Sequence, residues 1–136
     1  MNKMNKYLFQ IFLAILFISF LTVNAGAQSV VINNVRAALK TGSSKELIKS
    51  FNNTVELNFD GEKSNYSRTQ AEFVLKDFFK KYPPTDFEYI HQGASQQGLT
   101  YVIGKYSFDG GSYRVLIYIK KISNDYLVDL IDFSRE

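Results

Sequence analysis

Tyr66–Pro84, YSRTQAEFVLKDFFKKYPP, is the stretch on which the fold turns. Counting from Ala71, apolar side chains recur at Ala71, Val74, Leu75, Phe78, Phe79 and Tyr82, a spacing that draws one stripe along a 3.6-residue helix. Ser67 with Gln70, or Thr69 with Glu72, supplies a capping box at its start. Pro83-Pro84 ends it, because neither ring nitrogen can donate a hydrogen bond and each proline restricts the residue before it. Such a stripe needs a surface to lie on.

Downstream the period changes to that of strands. Phe87–Gln92 is followed by a turn at Gln96-Gln97-Gly98, Leu99–Phe108 closes at Asp109-Gly110-Gly111, and Tyr113–Ile122 alternates Tyr113, Val115, Ile117 and Ile119 against Arg114, Leu116, Tyr118 and Lys120. Ser123-Asn124-Asp125 leads into a last strand, Tyr126–Phe133. Upstream, Val31, Ile32, Val35, Ala38 and Leu39 predict a first helix over Ser29–Lys40 that stops at Gly42. Ser43 or Ser44 caps a short second helix with Leu47, Ile48 and Phe51 on its buried side, and Thr54–Phe59 alternates as a strand up to the Asp60-Gly61 turn. Glu62–Asn65 reads as a polar loop. The expectation is an α+β fold: about three helices packed on one face of a bent antiparallel sheet that forms an open cone, with Val74, Leu75, Phe78 and Phe79 buried against Val115, Ile117 and Ile119.

The first 27 residues stand apart. Lys3 and Lys6 precede an apolar run, Tyr7–Val23, and Ala25-Gly26-Ala27 is a small-x-small site before Gln28, the order of parts in a signal peptide. Residues 1–27 are read as that leader, and 28–136 as one domain exported to the periplasm or beyond the cell. Removing 27 of 136 residues leaves 109, enough for a single modest core. Without Lys3 and Lys6, 14 basic residues face 13 acidic ones, so the net charge falls from +3 to +1 and gives no reason to expect nucleic acid as a partner. There is no cysteine, which rules out disulfides, thiolate metal sites and thiol catalysis. With 12 Phe and 9 Tyr, the core has to be aromatic.

The run YSRTQAEFVLKDFF, the Pro83-Pro84 pair, Phe87-x-x-x-His91-x-Gly93-x-Ser95, Tyr101-x-Ile103-Gly104 and Tyr113-Arg114-Val115 together resemble domain-of-unknown-function family 4783, a family of exported Bacteroidota proteins. The resemblance covers essentially all of the chain after the leader. It implies a nuclear transport factor 2-like cone and an envelope or extracellular setting, and it brings no activity. Pairing of two cones through the outer face of the sheet, a homodimer, is a further implication, although Arg114 and Lys120 would have to be accommodated there.

Two titratable residues are candidates for chemistry. His91, the one histidine, shares strand parity with Phe87 and Tyr89, which would aim it at the helix as a general acid or base inside the cone; the plainer reading is a histidine bonded to a backbone carbonyl or a carboxylate. Asp129 lies between Leu127 and Ile131; if that face is inward it could orient His91, and if Tyr126, Val128 and Leu130 are inward instead it is solvated. Tyr89, His91, Tyr101 and Tyr113 are the candidate ligand-binding residues, since tyrosine offers a flat apolar ring and a polar tip, although the same rings would serve a cysteine-free core. No phosphate-cradling glycine loop, metal-spaced cluster or nucleophile elbow occurs, so no metal and no cofactor is expected. A non-catalytic module for an unknown small ligand or an envelope protein is the leading reading, ahead of a small-molecule lyase or isomerase run by His91.

Overall fold

The computed structural model describes residues 3–94 and 99–136, without the side chains of residues 16–25. The expected turn at Gln96-Gln97-Gly98, and Ser95 of the family pattern, lie outside the described residues, as do the side chains of the second half of the leader's apolar run. The chain divides into two compact units, Met1–Val30 and Val31–Glu136. The first is helical. Its described apolar side chains, among them Leu8, Phe9, Phe12 and Ile15, are more than half exposed. Among the described residues no helix is long and apolar enough to cross a membrane.

In the second unit, helix α1 (Lys3–Thr41 in full) contributes Ile32, Val35, Ala38 and Leu39 to the core, the stripe expected from the sequence. It ends where Gly42 takes φ +69 and the Ser43 N–H reaches back to the Ala38 carbonyl at 3.0 Å, a closure that only a residue free of a Cβ adopts cheaply. Ser43 then caps α2 (Ser44–Leu47), its hydroxyl accepting from the Glu46 N–H, and a 3₁₀ turn, Ile48–Ser50, completes the corner. With α3 (Arg68–Lys81) this makes four helical elements, one more than the sequence had indicated. The capping box at α3 is the Ser67–Gln70 one, and the buried stripe is Ala71, Leu75, Phe78 and Phe79, with Val74 and Tyr82 half-buried at its margin.

Six strands form one sheet in the order β2-β1-β6-β5-β4-β3: β1 (Phe51–Phe59), β2 (Glu62–Ser67), β3 (Pro84–Ala94), β4 (Thr100–Phe108), β5 (Gly111–Ile122) and β6 (Asp125–Arg135). Two features depart from expectation. The polar segment after Asp60-Gly61 is no loop. It is an edge strand paired with β1 from Phe59↔Glu62 to Thr54↔Ser67, the two turn residues both at positive φ (53° and 91°) as a tight hairpin requires. Nothing in Glu62-Lys63-Ser64-Asn65 alternates because an edge strand exposed on both faces has no reason to. The sheet is also mixed, since β1 runs parallel to β6. The chain can join these strands in parallel because β2, α3 and strands β3 to β5 all lie between them in sequence.

Inward positions are Val55 and Leu57 of β1, Val102 and Tyr106 of β4, Tyr113, Val115, Ile117 and Ile119 of β5, and Val128, Ile131 and Phe133 of β6, all buried with the α3 stripe in one core. Phe78 is its hub: its ring lies 4.5 Å from Phe133, 5.1 Å from Phe59, 5.3 Å from Tyr113 and 5.7 Å from Tyr106. Two of the bulges in the sheet concern the candidate residues. Tyr89 faces Gly104 and His91 faces Ile103, leaving Ile90 as an extra residue in β3; Val128 faces Ile119 and Leu130 faces Tyr118, leaving Asp129 extra in β6.

Candidate functional site

Those bulges decide where the sequence-selected residues go. Counting alternately from Phe87 and Tyr89 puts His91 on the helix-facing side, but the inserted Ile90 shifts the parity and pairs His91 with Ile103, on the opposite, outer face. His91 is exposed there, its Nε2 3.3 Å from the Tyr101 hydroxyl and its ring centroid 5.7 Å from that of Tyr101. Asp129, at the other bulge, is half-buried and accepts a hydrogen bond from the Asn52 side-chain amide at 3.2 Å. Strands β4 and β5 lie between β3 and β6, so the two residues are three strand spacings, about 14 Å, apart across the sheet. They do not form a pair.

The four tyrosine and histidine candidates separate as well. Tyr89 is inside, donating to the Ile32 carbonyl at 2.7 Å with Arg36 over its ring at 5.2 Å, so it ties α1 to the sheet; burial pushes its hydroxyl well above the ordinary tyrosine range. Tyr101 lies on the outer face across Gly93, and a Cβ at Gly93 would meet the Tyr101 ring and force it to move. Gly104 serves Phe87 in the same way on the inner face. Two glycines of the family pattern are thereby accounted for by close ring-on-backbone packing.

Of the candidates, Tyr113 borders an open cleft. The cleft has a volume of about 310 Å³ and lies where the β1–β2 turn and the start of β5 meet the C-terminal half of α3. Phe59, Phe78, Tyr82 and Tyr113 give it aromatic walls, Val74 an aliphatic one, and Asp60, Asp77 and Lys81 a charged rim. Each arrives by a local rule. Phe59 continues the inward alternation of β1, Asp60 is the first residue of its tight turn, and Val74, Phe78 and Tyr82 follow one another at four-residue steps on α3 and its C-cap. The walls are firmly held: Phe59 stacks on Phe133 at 5.2 Å, the Tyr106 hydroxyl donates to the Tyr82 carbonyl, and the Asp60 carboxylate accepts from the Arg135 backbone N–H at 2.7 Å. Burial raises the hydroxyls of Tyr106 and Tyr113, the latter to about 12, whereas the hydrogen bond from Tyr113 draws the Tyr82 hydroxyl below its ordinary value, helped by Lys81 and Arg135. Of these residues the sequence reading had singled out Tyr113; Phe59, Val74 and Tyr82 carried a signal in their periodicity, and Asp77, Lys81 and Asp60 carried none that pointed to a site.

This α+β fold, helices packed against a bent six-stranded sheet, is shared by solved structures described as nuclear transport factor 2-like and as cystatin-like. A nuclear transport factor 2-like protein of unknown function from Silicibacter pomeroyi has this fold, with a TM-score of 0.59 over 82% of this chain and 95% of that one at 10% identity. Residues 32–134 match the family described as Domain of unknown function (DUF4783), and the chain belongs to that family. Crystal structures of family proteins are similar over about three quarters of this chain: one from Bacteroides ovatus is 33% identical, with a TM-score of 0.72 over 76% of this chain and 93% of that one. One from Bacteroides uniformis is 27% identical, with a TM-score of 0.71 over 76% and 95%. No curated protein matches the chain.

Proposed function

We propose that the protein is an exported, non-catalytic module that holds a small organic ligand in the aromatic cleft. One observation carries this reading: Phe59, Phe78, Tyr82 and Tyr113 wall an open space of about 310 Å³, the size and lining of a small-molecule site, while the one histidine lies on the other side of the sheet. A lyase or isomerase run by His91 is the weaker alternative, because general acid–base transfer needs a group within hydrogen-bond reach of the substrate proton and His91 borders no part of the cleft. Export is supported by the order of charged, apolar and small residues before Gln28, and by the exposure of the described apolar side chains of the first unit, among them Leu8, Phe9, Phe12 and Ile15. N-terminal sequencing of the protein from its host should begin at Gln28; a chain still starting at Met1 in the membrane fraction would make Tyr7–Val23 an anchor.

The binding role is tested by a fragment screen read through the aromatic NMR resonances. Ring-bearing compounds should shift Phe59, Phe78, Tyr82 and Tyr113 together, and a screen whose hits all map elsewhere would refute it. Pairing with a second copy or with an envelope protein belongs to the outer face, where Tyr101, Ile103, Leu116, Tyr118 and Leu130 are half-exposed and a shallow hollow of about 160 Å³ lies between Ile103, Leu116, Arg114 and Asp132. Sedimentation of the exported protein across a concentration series tests that part separately.

A further inference from the structure

The geometry points to a seat for a cationic head group, guanidinium or methylated ammonium, at one end of the cleft, filled in this structure by the chain's own Arg135. The inference rests on the cleft being a binding site and names the chemical class of its ligand. Three rings meet there: Tyr82 and Phe108 at 5.0 Å between centroids, Tyr82 and Tyr113 at 5.4 Å, and Phe108 and Tyr113 at 5.5 Å. The Arg135 guanidinium caps all three, 5.7 Å from Tyr82, 5.3 Å from Phe108 and 5.9 Å from Tyr113. The four centres thus form a nearly regular tetrahedron with the cation at its apex. Each ring offers its electron-rich face to one positive charge, the arrangement by which proteins recognise quaternary ammonium and guanidinium ligands.

Arg135 is a replaceable occupant. Its side chain is exposed, and among the described residues no carboxylate lies within ion-pair distance of its guanidinium. Position is fixed at the backbone instead, where its N–H donates to Asp60, so the side chain can leave without moving β6. Tyr82 and Tyr113 line both the seat and the cleft, so a ligand held by its head group between these rings extends directly into the space walled by Phe59 and Phe78. The local charge agrees. With Arg135 in place, Asp60 and Asp77 are balanced by Lys81 and Arg135; with Arg135 swung out, the same rim carries one net negative charge and favours an incoming cation.

The test is a titration of the exported protein, purified from a host that processes it, with choline, with arginine methyl ester, and with the uncharged tert-butyl analogue of choline, read through the ring resonances of Tyr82, Phe108 and Tyr113. Wild type should bind both cations weakly, because each must displace Arg135. Arg135→Ala should bind them at least about fivefold more tightly, the equivalent of one exposed cation–π contact no longer in competition. Arg135→Gln, which keeps much of the side-chain volume, should show the same gain, and Tyr82→Leu added to Arg135→Ala should lose it. An unchanged unfolding midpoint in the Arg135 variants excludes a trivial loss of structure. If the uncharged analogue binds as well as choline, or if neither Arg135 variant gains affinity, the cation seat is refuted while the cleft stands as a binding site. If no probe moves the rings of the cleft in any variant and the fragment screen is also empty there, the cleft itself is refuted and the seat with it.

Discussion

The two ends of the sheet use aromatic residues in opposite ways. Around the cleft, Phe59, Phe78, Tyr82, Phe108, Tyr113 and Phe133 touch one another in a continuous ring network, backed by a hydroxyl–carbonyl bond and a turn carboxylate, and the open space they leave is bounded by groups that cannot move far. On the outer face, Tyr101 touches His91 and Tyr118 at 5.7 and 6.4 Å, over a glycine, with solvent on the other side. The first is a surface already ordered, the condition under which binding costs least; the second is half-exposed and only loosely packed. The titratable residue most conspicuous in the sequence, His91, belongs to the second.

The largest effect that would test this contrast is at the hub. Phe78→Ala should cost about 3 to 5 kcal/mol, because it removes a ring with six aromatic neighbours from a core that can collapse only partly, and urea unfolding measures it. An effect no larger than that of Lys80→Ala on the exposed side of α3 would mean the network is not what holds the cleft. The two glycines give the next comparison. Gly104→Ala drives a methyl group into the fully buried Phe87 and should cost about 1 to 3 kcal/mol. Gly93→Ala meets Tyr101, which can swing into solvent, and should cost visibly less; equal costs would show that Tyr101 is held as tightly as the core.

A third effect is read by pH. Burial raises the Tyr89 and Tyr106 hydroxyls above the ordinary value of 10.0, while in the unfolded chain both titrate near it. Above that pH the unfolded state therefore binds fewer protons than the folded one, so the contribution of these groups is whole below pH 10 and is lost as pH rises further. Stability should fall on the alkaline side, and Tyr106→Phe should make the fall shallower. A slope unchanged by that substitution would mean Tyr106 is not shielded as described. The smallest effect belongs to the outer face: His91→Ala should change stability by no more than about 0.5 kcal/mol, as for an exposed side chain with one long polar contact.

Much of this architecture was legible in the sequence, and what was not has a common physical origin. Periods of 3.6 and 2 located α3, the buried side of α1, β4 and β5, because each of those elements has one wet and one dry face. Strand β2 was missed because it has no dry face, and the parallel β1–β6 pairing because no local pattern encodes which distant strand becomes a neighbour. His91 was misplaced, and Asp129 left between two readings, for one reason. Both adjoin bulges, and a single extra residue, Ile90 in one strand and Asp129 itself in the other, reverses the parity on which strand faces are counted. In β6 that reversal is visible: Val128 and Ile131 are both buried, three residues apart, which neither alternating register of the strand allows. Tyr82 carried a helical signal through its spacing from Phe78, but the cleft it lines is made by three segments brought together only in the fold.

The central claim, that the cleft and not the histidine is the working surface, is tested most directly by plugging one and removing the other. Fragments selected by the screen would be titrated against Val74→Trp, which fills the cleft from its aliphatic wall, and against His91→Ala. Val74→Trp should abolish binding, and His91→Ala should leave every affinity unchanged. Binding that survives the tryptophan and disappears with the histidine would contradict it.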